Sequence, residues 1–353
     1  MKLLKESGYT YNALVMEDGP LLKEFEAISD KCEVYKRPSR SSVREKIKTK
    51  VLGKENNFQH LTQDIDLIFS NTIVNGRIIS EIKRISSAPV VSYIHELELV
   101  TALTTTKDTL QSVLTNSAFF FVPCKAVENF LLDSLKVNKE KLARLNYYLP
   151  EDNSPSPIKK ETYKSQNESS PFIVGCLATV EWRKGSDIFL QVVAKFFSNH
   201  KNTNVKFCWM GSYSESERLR FLYDAEKLGI KEKVELLPSS ENVGTFWNSI
   251  DILLLTSRED PYPVVVLEAA MHKIPTICFK NSGGAPEFVV DNAGTTVDYL
   301  DIEKITKAIL NYYTDQALLY AHGSNAFDKA MKLHGDKTLI KQQFNNAFAK
   351  IGS

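Results

Sequence analysis

The sequence predicts an α/β protein of two domains, each with a sheet of parallel strands. At 353 residues the chain is too long for one typical domain and comfortable for two. Short apolar runs alternate with amphipathic stretches, which is typical of parallel strands joined by crossover helices. Residues 151–170 interrupt this alternation, because they carry Pro, Ser and charge and almost no apolar side chains. They are therefore interpreted as a linker between the two domains.

The first domain is predicted to span residues 1–150. Its apolar runs are short and bounded by polar turns, so we interpret them as strands, with helices between them. The predicted strands are 11–16, 32–35, 65–69, 89–94, 118–122 and 142–148, and the predicted helices between them include 20–28 and 75–84.

The second domain is predicted to span residues 171–335, followed by a C-terminal helical segment at 336–353. The same alternation of apolar runs and amphipathic stretches restarts after the linker. The predicted strands are 172–177, 204–210, 234–237, 250–256 and 274–279, and the predicted helices are 187–199, 214–228, 263–272, 302–314 and 337–351.

Composition and charge argue against several classes of protein. The net charge of +1 gives no global field that would favour a nucleic acid as partner. The five cysteines are scattered, and no two stand at metal-ligand spacing, so we expect reduced thiols and no metal site. Charged residues follow Met1 where a signal peptide would be apolar, and no stretch approaches the roughly 18 apolar residues of a membrane-spanning helix. These features predict a cytoplasmic protein.

The most informative segment is residues 257–270, which follow a predicted buried strand. Pro263 suits the first turn of a helix, so the segment leads into a helix N-terminus at the carboxyl end of a strand. Open α/β sheets bind ligands there, and free N–H groups at that position favour phosphate. Asp260 and Glu268 can both point into one cleft, where carboxylates accept hydrogen bonds from sugar hydroxyls. Glu268 stands in an apolar helix, which is an unusual place for a charged residue that has no functional role.

This segment resembles the donor site of retaining glycosyltransferases of family 4, the group 1 glycosyltransferases. In that family two acids with seven residues between them mark the site, and the first, usually Glu, is Asp260 in this chain. Glu259 is adjacent, but the helix register favours Asp260. The resemblance implies that Asp260 contacts the donor sugar and that Glu268 holds the nucleotide ribose. It also implies that Val264 and Val265 offer backbone N–H groups to the diphosphate.

A pair of cations, Arg183 and Lys184, precedes the predicted helix at 187–199. Two cations beside a helix N-terminus suit a diphosphate, although alone they would be read as a solvated turn. The resemblance implies that they neutralise the departing nucleoside diphosphate without a metal ion or other cofactor. The donor would then be a sugar conjugate of the UDP or GDP type.

Further residues resemble weaker signatures of the same family. Gly283 and Gly284, with Glu287 three residues later, are similar to a glycine turn that lines the cleft near the donor, with Glu287 fixing its shape; the alternative is a plain turn. Gly211 is similar to a strand end that borders the nucleotide, and Pro238 stands where the family's base pocket lies.

His95 follows a predicted strand in the first half of the chain. A lone histidine at a strand end is usually structural. The family, however, often places a histidine there, near the donor sugar, and the resemblance implies that role for His95. The chain departs from the family at its beginning, because residues 11–16 resemble the family's second strand. The first strand and its glycine-rich loop have no counterpart upstream, which leaves open a shortened start or a trimmed family member.

As a whole, the resemblance implies a GT-B architecture: two facing Rossmann-like domains, with the segment 336–353 crossing back to the first. It implies transfer of a sugar from a nucleoside diphosphate sugar to a hydroxyl acceptor, with retained anomeric configuration. The acceptor would be a surface polysaccharide such as lipopolysaccharide, or a lipid-linked glycan. Two alternatives stay open: a donor-binding partner subunit that is impaired in catalysis, and a sugar-nucleotide 2-epimerase on the same fold.

Residues 36–54 are strongly basic, with cations throughout and Glu45 as the one acid. In relatives that act on lipid-linked glycans, basic patches contact anionic membrane, and each cation can add about 1 kcal/mol near an anionic leaflet. The segment therefore predicts either a peripheral membrane contact or a flexible solvated loop.

Overall fold

The predicted basic segment 36–54 and all but the last residue of the predicted linker 151–170 lie outside the residues that the computed structural model describes. The described ranges are 2–35, 58–149, 170–240, 242–290 and 292–351.

Strands form at every run predicted to be a strand, with ends that differ by a few residues. The strands in the described ranges are β1 (Asn12–Val15), β2 (Lys31–Val34), β3 (Ile68–Ser70), β4 (Val90–Tyr93), β5 (Ser117–Val122), β6 (Leu142–Arg144), β7 (Phe172–Leu177), β8 (Val205–Gly211), β9 (Val234–Pro238), β10 (Ile252–Leu255), β11 (Thr276–Phe279) and β12 (Gly294–Val297).

Helices follow most of these strands, as the alternation in the sequence predicts. In the same ranges they are α1 (Lys2–Lys5), α2 (Leu22–Ile28), α3 (Gln59–Thr62), α4 (Gly76–Ile82), α5 (Glu98–Thr104), α6 (Lys107–Asn116), α7 (Lys125–Asn129), α8 (Ser186–Asn199), α9 (Glu215–Lys227), α10 (Val243–Ser249), α11 (Val264–Met271), α12 (Ala285–Val289), α13 (Ile302–Thr314), α14 (Gln316–Ala330) and α15 (Lys337–Ile351).

The chain divides into two compact units. The first comprises Met1–Ile94, Thr104–Phe121 and Lys341–Ser353. Within it, β1 pairs with β2, and β3, β4 and β5 pair in that order, all in parallel. The ring of Phe121 stacks on the ring of Phe344 in α15 at 5.8 Å between centroids, which anchors the end of the chain to β5. The predicted domain boundary at residue 150 stays a prediction.

The second unit comprises His95–Leu103 and Val122–Ile340. Its sheet has the strand order β12-β11-β10-β7-β8-β9, and every pair is parallel. The four residues of β10 and of β11 are all buried, as expected for parallel strands that helices cover on both faces. The chain leaves β7 toward β8 and β9 and later returns to place β10 on the other side of β7. The carboxyl ends of β7 and β10 therefore form a topological switch point, where ligands bind in open α/β sheets.

The predicted α/β class with parallel sheets is confirmed, and the differences are local. β12 was not predicted, because its sequence Gly-Thr-Thr-Val has a single large apolar residue and only Val297 is fully buried. β6 ends at Arg144, four residues before the predicted end. Helix α14 was also missed, because its buried residues are mostly small (Leu319, Gly323, Ala326 and Ala330) and give a weak apolar pattern.

The aromatic core of the second unit yields a test of the packing. Phe207 of β8 is 1% exposed, and its ring contacts those of Phe189, Phe196 and Phe197. We expect Phe207→Ala to lower the free energy of unfolding by about 3–5 kcal/mol, because it removes buried surface and leaves a cavity.

All three tryptophans of the chain lie in the second unit, so urea unfolding followed by tryptophan fluorescence reports on that unit. Leu219→Ala, at a side chain that is 55% exposed in α9, is the control and should change the free energy by less than about 0.5 kcal/mol. A loss below about 1 kcal/mol for Phe207→Ala would contradict this account of the core.

Candidate functional site

The loop between β10 and α11 carries Asp260 against the glycine turn that follows β11. The Asp260 N–H donates to the carbonyl of Ser282 at 2.7 Å, and the Asp260 carbonyl accepts from the Gly284 N–H at 3.1 Å. Gly283 has a φ of 122°, and a β-carbon there would lie 1.8 Å from the Asp260 carbonyl oxygen. The turn therefore requires glycine, and the structure brings the predicted residues Asp260, Gly283 and Gly284 together.

Lys184 reaches the same place from the loop after β7. Its Nζ forms an ion pair with Oδ2 of Asp260, and the two side chains are only 18% and 10% exposed. The approach depends on Gly185, whose φ is 73° and whose β-carbon, if present, would lie 2.0 Å from the Thr256 carbonyl oxygen. The Thr256 hydroxyl donates to the Gly185 carbonyl at 2.9 Å, which joins the loops after β7 and β10. An oppositely charged pair therefore lies at the switch point of the sheet.

Arg183, the second predicted cation, is already engaged by protein groups. Its guanidinium donates to the Glu259 carbonyl at 2.9 Å and forms an ion pair with Glu181 at 2.9 Å. The Glu259 carboxylate accepts the backbone N–H groups of Leu99 at 2.9 Å and Val100 at 3.1 Å, in the first turn of α5. A carboxylate is stabilised at that position by the free N–H groups of the helix end. Of the two adjacent acids, Asp260 is thus the one beside Lys184.

Glu268 lies in α11 and is half-buried among apolar neighbours. Burial raises its pKa above the usual value of a glutamate. Within the described part of the chain its carboxylate has no hydrogen-bond or ion-pair partner. Val264 and Val265 form the first turn of the same helix, where backbone N–H groups lack partners within the helix. This stretch therefore combines free donors at the helix start with an unpaired acid in the next turns.

Gly211 and Pro238 mark the ends of β8 and β9, and the two residues are partners in the parallel register. Both ends lie at the carboxyl edge of the sheet, as do the loops that carry Lys184 and Asp260. The structure therefore places these predicted residues at the same edge of the sheet as the ion pair.

Glu287, the last predicted residue of the glycine turn, is held by protein groups. Its carboxylate pairs with the guanidinium of Arg144 and accepts the Lys125 N–H at 2.7 Å. These contacts attach α12 to the start of α7. They are the kind of contact that fixes the shape of a loop.

His95 contacts a residue that sequence reasoning missed. Its Nδ1 lies 3.0 Å from the hydroxyl of Tyr147, and the two rings stack. Burial lowers the pKa of His95 to about 4, so the imidazole is neutral at pH 7. Burial is also the main cause of the raised pKa of Tyr147, and the charge of nearby Asp260 raises it further. His95, Tyr147 and Asp260 therefore lie in one electrostatic environment.

A second histidine, His334, extends this group. Its Nδ1 lies 2.8 Å from the Tyr147 carbonyl oxygen and its Nε2 lies 3.0 Å from the Tyr262 hydroxyl. A carbonyl only accepts, so Nδ1 carries the proton and the Tyr262 hydroxyl donates to Nε2. No local pattern in the sequence indicates this arrangement, because His334 stands far along the chain from both tyrosines.

Arg258 is another residue that the sequence did not single out. Its guanidinium forms two hydrogen bonds to the Asp187 carboxylate, at 2.8 and 2.9 Å, and stacks on the ring of Trp182 at 4.3 Å. Trp182 is 61% exposed. The pair ties the start of α8 to the loop that carries Asp260.

Two further properties concern metals and membranes. The structure, as far as it describes the chain, contains no group of three or more His, Cys, Asp or Glu side chains that could hold a metal ion. Among the helices of the described ranges, none is long and apolar enough to span a bilayer.

Comparison with known proteins shows which families and structures this region is similar to. Residues 158–329 match the model of the family described as Glycosyl transferases group 1. The lipopolysaccharide core biosynthesis mannosyltransferase LpcC of Rhizobium leguminosarum bv. viciae is 24% identical over 161 residues, which are 44% of this chain and 44% of that protein. The chain thus matches under half the length of this curated relative.

Solved structures share the fold over almost the whole chain. Anabaena Alr3699/HepE in complex with UDP and glucose has a TM-score of 0.76 and 18% identity, and the match covers 95% of this chain and 90% of that one. WaaG, a glycosyltransferase involved in lipopolysaccharide biosynthesis, has a TM-score of 0.65 and 15% identity, with 98% of this chain and 100% of that one covered. The predicted GT-B fold class is confirmed by this likeness.

The buried His334 predicts a pH dependence of stability. Burial lowers its pKa in the folded protein to about 4, below the value of about 6.5 in the unfolded chain. Between these values the unfolded state binds more protons, so stability falls as the pH falls from 6.5 to 4, by about 3 kcal/mol for this group.

The slope of the free energy of unfolding against pH reports how many more protons the unfolded state binds than the folded state. We expect His334→Gln to lower this number by close to one in this pH range. Urea unfolding followed by fluorescence at pH 4.5, 5.5 and 6.5 measures the slope. Tyr262→Phe is the matched control, because it removes a hydrogen bond to the ring and keeps the titrating group. An unchanged slope in His334→Gln would contradict the assignment of a neutral histidine.

Proposed function

We propose that the chain transfers a sugar from a nucleoside diphosphate sugar to a hydroxyl acceptor, because residues 158–329 match the model of the group 1 glycosyl transferases. The observation that carries the proposal is the ion pair of Lys184 and Asp260 at the switch point of the sheet. A half-buried, unpaired acid, Glu268, lies on the helix that begins just after it. A charged phosphate group and several hydroxyl groups are the ligands that such a set of side chains suits.

The donor diphosphate would bind between Lys184 and the start of α11. The first turn of α11 presents the N–H groups of Val264 and Val265, and the helix dipole favours negative charge there. Arg183 would add a second cation if a phosphate replaced the carboxylate of Glu181 as its partner. The bound UDP in the Anabaena structure supports a diphosphate ligand for this fold.

The two acids would bind the hydroxyl groups of the donor. Glu268 would accept hydrogen bonds from the ribose, because its carboxylate is only partly buried and has no protein partner in the described residues. Asp260 would accept from the sugar once the diphosphate draws Lys184 away from it. His95 would remain neutral, since burial keeps its pKa near 4, and could exchange hydrogen bonds with sugar hydroxyls without adding charge.

Catalysis would rest on stabilising the departing diphosphate. Negative charge grows on the leaving group as its bond to the sugar breaks, and fixed cations lower the energy of that state more than that of the bound substrate. Lys184, Arg183 and the start of α11 would supply this stabilisation without a metal ion. We further propose that the anomeric configuration is retained.

The acceptor would be a glycan of a cell-surface polysaccharide. The mannosyltransferase LpcC and the glycosyltransferase WaaG both bear names that assign them to lipopolysaccharide biosynthesis, which supports this class of acceptor. The proposed site of action is the cytoplasm, where nucleotide sugars are the donor substrates.

Nucleotide binding tests the donor site directly. We expect UDP or GDP at 100 times its dissociation constant to stabilise the wild type by about 2.7 kcal/mol. Glu268→Ala should weaken binding of that nucleotide at least tenfold, because the ribose loses its carboxylate. Calorimetry and thermal unfolding with UDP, GDP, ADP and CMP measure both effects. Glu303→Ala, an exposed acid in the first turn of α13, is the control. Equal binding by Glu268→Ala would contradict the ribose role.

Removal of the lysine charge tests the catalytic role. We expect Lys184→Gln to lower kcat by about 10²–10³-fold, the range seen when one donor to a developing charge is removed. The KM for the donor should change much less, because the interaction is strongest in the transition state. The assay follows release of the nucleoside diphosphate in the presence of simple alkyl glycosides. A pure KM effect would assign Lys184 to binding alone.

The products decide between the transferase and its alternatives. NMR of the glycosidic linkage should show the same anomeric configuration as in the donor. An inverted linkage would exclude the retaining assignment. An epimerised nucleotide sugar without a glycoside product would identify an epimerase instead, and nucleotide binding without any product would identify a donor-binding subunit.

A further inference from the structure

A cavity of about 400 Å³ lies beside the glycine turn, and the residues that line it all belong to the second unit. Its volume lies in the range of about 300–1,000 Å³ that is usual for ligand pockets. Gly283 and Asn281 form part of its wall, and Gly283 also pairs with Asp260 through the backbone. Lys184, Asp260 and Glu268 are not among the lining residues. The cavity therefore lies next to the proposed donor site and shares the glycine turn with it.

The wall of the cavity combines apolar and hydrogen-bonding surfaces. Leu97 and Phe130, which are 5% exposed, line it together with Pro286. Asn129 and Asn281 line it as well, and their amides have no hydrogen-bond partner among the residues that the structure describes. A sugar ring has the matching two-sided character, because its C–H groups form an apolar face and its hydroxyl groups project from the edge.

The charges around the cavity favour neutral ligands over anionic ones. Lys125 Nζ is paired with Glu128 at 3.0 Å, and Glu287 is paired with Arg144. The carboxylates of Glu98 and Asp133 line the cavity with no ion-pair or hydrogen-bond partner in the described ranges. Ionised carboxylates only accept hydrogen bonds, so they bind neutral hydroxyl donors and repel phosphate and carboxylate groups.

We propose that this cavity binds a sugar ring of the acceptor and selects a neutral, hydroxyl-rich ring over an anionic one. The acceptor role rests on the proposed transferase function, because a sugar bound here lies beside the glycine turn, whose Gly283 pairs with Asp260. The sugar-binding role rests on the cavity alone. The unpaired carboxylates and amides recognise hydroxyl groups, while Leu97 and Phe130 pack against the C–H face of the ring.

The test measures glycoside binding to the whole chain without nucleotide. Saturation-transfer NMR with methyl glucoside, methyl mannoside and methyl galactoside probes neutral rings, and methyl glucuronide is the anionic counterpart. Asn129→Ala/Asp133→Ala changes two exposed residues of the wall and should not affect folding. Glu140→Ala, an exposed acid outside the cavity, is the matched control.

We expect at least one neutral glycoside to bind the wild type and the control equally and to bind the double variant at least tenfold more weakly. The glucuronide should bind the wild type at least tenfold more weakly than its neutral counterpart. UDP and GDP should bind all three proteins equally, and with a donor present the KM for the acceptor glycoside should rise in the double variant.

The inference is overturned if no neutral glycoside binds, if the double variant binds as well as the wild type, or if the glucuronide binds as tightly as the neutral ring. Its failure is distinguishable from failure of the donor site, because the binding test contains no nucleotide. If glycosides bind as expected while no nucleotide does, the proposed transferase function is wrong and the cavity is a sugar-binding site of another kind.

Discussion

Two contacts between backbone segments hold the candidate site together, and each leaves no room for a β-carbon. At Gly185 the neighbour is the carbonyl oxygen of Thr256, and at Gly283 it is that of Asp260, at distances of 2.0 and 1.8 Å from an added β-carbon. The backbones of the loops that follow β7, β10 and β11 are therefore in direct contact. Side chains on these loops occupy defined positions although no regular element supports them. The positions of Lys184 and Asp260 at the sheet edge depend on this close approach.

Charge at the site is arranged so that most ions have a protein partner. Glu259 accepts N–H groups of α5, and Arg258 is bound by Asp187. Burying an ion pair costs desolvation energy, and the weakly exposed pair of Lys184 and Asp260 carries that cost at the point where a ligand would bind. A diphosphate that competes for Lys184 would release the Asp260 carboxylate toward hydroxyl groups. In the proposed function, donor binding therefore exchanges one partner of Lys184 for another and leaves few charges unpaired.

The sequence predicted the elements of the second unit well, because its central strands β10 and β11 are fully buried and its helices are bounded by polar loops. Helix α13 and strand β7 have the predicted ends. β12 was not predicted, because a glycine followed by two threonines shows no alternation of apolar and polar residues. The spacing of Asp260 and Glu268 could be read locally, since both lie on one loop and helix. The contacts of Tyr147 with His95 and His334 could not, because they depend on side chains that only the folded chain brings together.

The glycine turn is one continuous segment that contacts both the proposed donor site and the cavity. Its Gly283 pairs with Asp260, its Asn281 lines the cavity, and Glu287 at its end is fixed by Arg144 and the Lys125 N–H. A short segment with backbone and ionic contacts at both ends has little freedom to move alone. The three residues from Asn281 to Gly283 would then set the distance between the bound donor and the bound acceptor. Because positioning reactants in advance lowers the entropy cost of their reaction, such a turn contributes to catalysis without touching the reacting bond.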